Sequence, residues 1–359
     1  MSRACGECLR RAWLVAELAE HIAHARERFG SLDSLLALDD HELVAALGGR
    51  HADAVTAAWL RFDPERARRR LRETRLAAIC RHDADRYPPA LHDMPDPPAV
   101  LHVAGAAGLT PGPAAAVVGA RRATPYGLEV ARMLGRGLGA AGVTVVSGMA
   151  LGVDSAAHEG ALEAGGPTVA VLAGGADVPY PPSKRRLYRR VLAGGCAVSE
   201  LPPGFRPRRW CFPARNRMIA ALSRLTVVVE AAERSGALIT ARLARELGRE
   251  VGAVPGPITS PRARGVNDLL FDGAHVVRDA QDVLDVLFGV GGKSAPPDSR
   301  DRLEPALRRV LDEVAGGRDT VGALAETPSE AEAALVALSE LELLGHVRRV
   351  PGGRYVAVA

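Results

Sequence analysis

The segment CFPARNRMIAALS, residues 211–223, sets two arginines, Arg215 and Arg217, on either side of Asn216. Pro213 suits the first position of a helix, because its ring presets φ and its missing N–H would go unpaired there anyway. Met218, Ile219 and Leu222 recur at helical spacing, so the pattern predicts a helix starting near Pro213. Both arginines then fall in its first turn, where unpaired N–H groups already carry partial positive charge. Cations at that end call for an anion, and a phosphate would supply one.

Other loops carry the same chemistry. VVGARRATPYG holds Gly119, Arg121 and Arg122 directly after an apolar run, and VVSGMALGVD holds Ser147 and Gly148. AGGADVPYPPSKRR leads into Lys184, Arg185 and Arg186. In EAAERSGALIT, Ser235 and Gly236 open a predicted helix and Thr240 lies one turn in. Small residues, helix starts and basic side chains are the parts of a phosphate site built from N–H groups and charge. The charge is concentrated accordingly. Lys184 to Arg217 contains ten basic residues and one acidic residue, Glu200, whereas the rest of the chain has 36 basic and 41 acidic residues. A segment of +9 within a chain otherwise at −5 fits a surface that holds a polyanion.

These loops need a scaffold. Residues 9–60 show helical apolar spacing broken at Gly30 and Gly48–Gly49, and a basic helix is predicted near Pro64 to Arg75. YPPALHDMPDPPAVLHVAG, with five prolines, reads as an extended connector. From Ala115 the pattern changes to apolar strands (AAVVG, VTVVSG, TVAVLAG, CAVSE, LTVVVEAA, EVGAVPG) alternating with helices. Such alternation predicts an α/β, Rossmann-like, doubly wound parallel sheet whose ligands bind at the carboxyl ends of the strands. The expected division is a helical N-terminal domain over residues 1–78, a Rossmann-like domain over 79–290, a linker over 291–300 and a winged-helix domain over 301–359.

Several classes are excluded. GxGxxG does not follow the first strand, GRGLG at residues 135–139 falls inside a helix, and GxxxxGK[ST] and GxSxG are absent. Asp154 and His158, four apart, read as a helix cap and a satisfied histidine. Cys5 and Cys8 form a CxxC, but structural zinc needs four ligands and neither a second CxxC nor an HxxxH follows. They are therefore expected to be reduced thiols, with no metal and no cofactor. No apolar run approaches a membrane span, and five cysteines without a leader segment fit a reducing cytoplasm.

VVGARRATPYG, VSGMALGVDSAAH, VLAGGADVPYPP, FPARNRMIAALS and SGALITARLARELGREVGAVPG together resemble the DNA processing protein A family, also called DprA or Smf, from about Tyr87 to Phe288. The resemblance implies a homodimeric, non-catalytic protein that binds single-stranded DNA during natural transformation, protects incoming strands and helps load the RecA recombinase. It places Arg121, within Gly119-Ala120-Arg121, on a phosphate; Ala120 stands where the family has serine. Arg209 matches a basic position of the family, Phe212 a ring that stacks on a base, and Arg215, Asn216 and Ser235 further motif positions. Lys184 rests on the charge argument alone. Two other readings stay open. A nucleotide-cleaving phosphoribohydrolase would need a PGGxGTxxE loop, which is missing. A duplex-reading factor would use a helix over about Ser329 to Leu344, yet that stretch holds Glu330, Glu332, Glu340 and Glu342 and no basic residue. The tail is expected to dock onto protein instead.

Overall fold

The computed structural model describes residues 4–22, 32–105, 109, 112–295 and 303–357. The expected break at Gly30 and residues 296–300 of the expected linker lie outside them. The chain divides into two compact units, Met1–Ser294 and Ala295–Ala359.

The first unit is built on nine strands: β1 (Ala77–Cys80), β2 (Val100–Ala104), β3 (Ala114–Val118), β4 (Thr144–Ser147), β5 (Thr168–Val171), β6 (Cys196–Ser199), β7 (Leu225–Val228), β8 (Glu250–Ala253) and β9 (His275–Val276). Their order is β1-β2-β6-β5-β4-β3-β7-β8-β9. From β6 to β9 every pairing is parallel, whereas β2 pairs antiparallel with β6 and β1 antiparallel with β2. The doubly wound sheet is thus present, and β1 and β2 extend it. The connector reads as extended only in part: it contains a 3-10 turn at Pro89–Leu91 and then strand β2, all five residues of which are buried.

The early helices are α1 (Gly6–Glu17), α2 (Leu32–Leu36), α3 (Asp40–Leu47), α4 (Ala52–Leu60) and α5 (Pro64–Glu73). Those within and after the sheet are α6 (Pro125–Ala140), α7 (Val153–Glu163), α8 (Arg185–Gly194), α9 (Cys211–Ala221), α10 (Gly236–Glu246), α11 (Arg264–Phe271) and α12 (Ala280–Phe288). Alternate strand residues feed opposite cores. Ala116, Val118, Val169, Val171 and Val198 join Met218 and Ile219 of α9 on one face, while Ala170, Leu172 and Ala197 join Leu187 and Val191 of α8 on the other. The GRGLG spacing has a packing role: a Cβ on Gly135 would lie 2.2 Å from the Ala157 carbonyl, so its absence lets α6 sit against α7. Leu14, Leu18, Leu35 and Leu43 pack with Trp210, Cys211 and Ala214, which anchors the start of α9 on the N-terminal helices.

The second unit contains α13 (Pro305–Ala315), α14 (Val321–Leu324), α15 (Pro328–Leu343) and the hairpin β10 (Val347–Val350) to β11 (Arg354–Ala357), around Leu311, Leu338, Leu341 and Tyr355. A bridge from Thr320 to Arg354 completes the winged-helix pattern. Thr327 and Glu330 form a capping box at the start of α15.

Candidate nucleic-acid interface

The carboxyl ends of β3, β4 and β5 face the start of α9. The switch point between β3 and β7, where doubly wound sheets usually hold a ligand, is filled by the chain itself. The Ala120 N–H donates to the Glu230 carbonyl at 2.7 Å, and the Thr124 hydroxyl donates to the buried Glu230 carboxylate at 2.5 Å. Open chemistry lies to the other side. Arg121 is exposed, and its guanidinium carbon sits 5.0 Å from the centre of the half-buried Phe212 ring. The exposed Tyr180 ring lies 5.6 Å from Phe212. A cation and two aromatic rings, from two loops and the first turn of α9, therefore share one mouth.

Helix α9 starts at Cys211, two residues before Pro213. Arg215 and Arg217 consequently stand in its second turn, past the N–H groups that would repel a cation, and both side chains turn inward. This corrects the expectation that a phosphate supplies their anion. Arg217 forms ion pairs with Asp96 at 3.0 Å and with Glu200, and donates to the Asp96 carbonyl at 2.6 Å. Arg215 donates to the Val171 carbonyl at 2.9 Å. Burial pushes Arg215 down to about 10, partly offset by Asp154, so it stays a cation at neutral pH. Asp154 is pushed up by burial and pulled back by Arg215 and by the N–H groups of Gly148 and Ala150, which it accepts at 3.1 and 3.3 Å. Arg215 and Asp154 thus clamp the loop after β4, where Met149 holds a left-handed φ of 59°.

The remaining candidates divide by exposure. Ser147 is fully buried and donates to the Val117 carbonyl at 2.7 Å, so it ties β4 to β3 and does not face a ligand. Thr240 is likewise buried within α10. Ser235 caps α10 by accepting from the Ala237 N–H at 3.3 Å, and Asn216 donates to the Gly236 carbonyl at 3.4 Å, joining the starts of α9 and α10. Lys184 pairs with Glu159 at 3.4 Å. Arg122, Arg209 and Gly236 are exposed, as are Arg185, Arg186, Arg189 and Arg190 on α8. Gly119 brings β3 close to α7, since a Cβ there would lie 2.7 Å from Val153.

Asp154 and His158 make no catalytic pair. The His158 Nδ1 lies 2.7 Å from Thr168 Oγ1, whose own hydrogen goes to the Val145 carbonyl, and burial pushes the ring down to about 3. Sequence reasoning passed over Glu230, Asp96 and Tyr180. A carboxylate after a strand and a tyrosine within VPYPP were visible; their partners were not. It also passed over Cys80 and His82, which lie beside Cys5 and Cys8. Among the described residues no helix is long and apolar enough to cross a membrane.

The family model described as DNA recombination-mediator protein A matches residues 78–288. The chain belongs to that family. The matched span runs from β1 to the end of α12 and contains every residue of the candidate interface described above. A putative DNA processing protein DprA of Mycobacterium tuberculosis is 41% identical over 324 residues, covering 88% of this chain and 77% of the relative. Protein Smf of Escherichia coli is 40% identical over 284 residues, covering 76% and 75%. Among solved structures, DNA processing protein A of Streptococcus pneumoniae superposes with a TM-score of 0.62 at 31% identity, over 78% of this chain and 96% of that one. The Helicobacter pylori family member, whose structure concerns its single-stranded DNA binding mode, superposes with a TM-score of 0.53 at 31% identity, over 59% of this chain and 95% of that one.

Proposed function

We propose that this recombination mediator binds single-stranded DNA, independently of sequence, along the sheet edge that carries Arg121 and Phe212, and passes the strand to RecA during natural transformation as a homodimer. One observation carries the binding reading: the exposed Arg121 guanidinium stands 5.0 Å over the Phe212 ring, with Tyr180 alongside. A phosphate contact and a stacking platform are then within one nucleotide's reach. Stacking contributes about 1–3 kcal/mol per base and accepts any base, but requires it to be unpaired. Arg122, Arg209 and the exposed arginines of α8 extend the positive track, and the capped start of α10 at Ser235 and Gly236 adds N–H groups to it. Arg215, Gly148 and Asn216 position the loops that carry these contacts. The Helicobacter pylori relative, described as binding single-stranded DNA, supports the same reading.

RecA loading and dimerisation rest on the family resemblance. In the second unit, α15 exposes Leu335, Val336 and Leu343 among its glutamates, which suits a protein partner better than a phosphate backbone. The test is a binding titration of the full chain with single- and double-stranded oligonucleotides over a range of salt. Single strands should bind more tightly and without sequence preference; a preference for duplex overturns the proposal.

A further inference from the structure

We infer that Cys5, Cys8, Cys80 and His82 form a structural zinc site that fastens the N-terminal helix to the edge of the sheet. Their four donor atoms lie within 4.8 Å of one another. The His82 Nδ1 stands 3.5 Å from the Cys5 sulfur and 3.6 Å from the Cys8 sulfur. A tetrahedral zinc with Zn–S near 2.3 Å and Zn–N near 2.0–2.1 Å sets S···N edges of about 3.6 Å. The separations of the imidazole from these two sulfurs therefore match a tetrahedron's edges. All five cysteines are free thiols, so no disulfide competes for these sulfurs.

The ligands are held by backbone on both sides. Cys5 is the N-cap of α1, and its sulfur accepts from the Cys8 N–H at 3.5 Å, which orients it. Arg68 donates to the Ala4 carbonyl at 2.9 Å, which fixes the chain just before Cys5. Cys80 ends β1, and the turn carrying His82 is closed by the Asp83 N–H on the Cys80 carbonyl at 2.8 Å and the Arg81 N–H on the Ala99 carbonyl at 3.1 Å. Neither a second CxxC nor an HxxxH completes the set. The pair that completes the set is Cys80-Arg81-His82, brought to the first by the packing of α1 and α5 on β1. Three thiolates and one imidazole are soft donors that select zinc over calcium or magnesium, and four protein ligands leave no open position for catalysis.

The experiment is elemental analysis of the full-length protein, purified without metal-affinity steps or added metal, beside its Cys80→Ser and His82→Ala variants. About one zinc per chain is expected in the wild type, with at least a several-fold loss in both variants. A strong chelator should lower the wild-type melting temperature and leave that of Cys80→Ser unchanged, which separates metal loss from a merely destabilised variant. Wild type free of metal, iron or copper in place of zinc, or equal zinc in the wild type and both variants overturns the assignment.

Discussion

The Arg215 guanidinium lies against the backbone of Gly148: a Cβ on that glycine would come within 1.5 Å of the arginine Nη1. Only glycine leaves room for the clamp that Arg215 makes between the β4 loop and the Val171 carbonyl. Gly148→Ala should therefore evict the guanidinium, cost about 1–3 kcal/mol as an overpacked site does, and lower DNA affinity through the displaced loop. Urea denaturation with parallel DNA binding checks this; a variant equal to wild type in both contradicts it.

Arg217 should behave as a structural residue. Arg217→Ala would remove the cation that pairs with the buried Asp96 and the partly buried Glu200, and losing one partner of a buried pair costs about 3–5 kcal/mol. The fraction that remains folded should bind DNA with the wild-type salt dependence, since no phosphate contact is lost. A flattened salt slope with unchanged stability would return Arg217 to the interface.

Phe212→Ala should reduce affinity by a stacking increment of about 1–3 kcal/mol and leave the salt slope nearly unchanged, because no counterion is released by a ring. Arg121 would also lose the ring beneath it, so the double variant should fall short of the sum of the single losses. Full additivity in a double-mutant cycle would separate the two residues.

The protein should lose stability in mild acid. Burial pushes His158 down to about 3, aided by Arg215, and pushes His102 down to about 4 against the raising effects of Ser199 and Asp177. The His158 Nε2 and His102 Nδ1 have no hydrogen-bond partner, so protonating either would bury an unpaired N–H. Above the unfolded value of about 6.5, both rings are neutral in both states and the stability is fully present. Below it the unfolded chain takes up protons that the native state declines, at up to about 1.4 kcal/mol per pH unit for each ring. By pH 5 the two together amount to about 4 kcal/mol. Urea midpoints at pH 7 and pH 5 measure the loss, and equal midpoints contradict it.

The six central strands were legible because their apolar runs are continuous, as burial on both faces demands. Strand β2 was not: VLHVA sits among prolines, and its buried His102 breaks the apolar run. Strand β9 has only two residues, too short for any periodicity. At the interface, residue types and loops were readable but side-chain direction was not. Arg215 and Arg217 announced charge, yet the Asp96 carbonyl that receives Arg217 lies 121 residues away in sequence. The same distance problem hid the Cys80–His82 pair, since His82 follows Cys8 by 74 residues. Arg121 and Phe212 were each singled out from their motifs; that they meet follows only from the fold, which brings the loop after β3 to the start of α9.

The central claim is tested most directly by the salt dependence of single-strand binding in wild type and Arg121→Ala. About four to six phosphate contacts give a log–log slope near −3 to −4 for a single strand. Arg121→Ala should bind more weakly to every sequence and flatten that slope by about 0.7, as for one lost phosphate. A variant with wild-type affinity and slope would place the DNA elsewhere on the molecule.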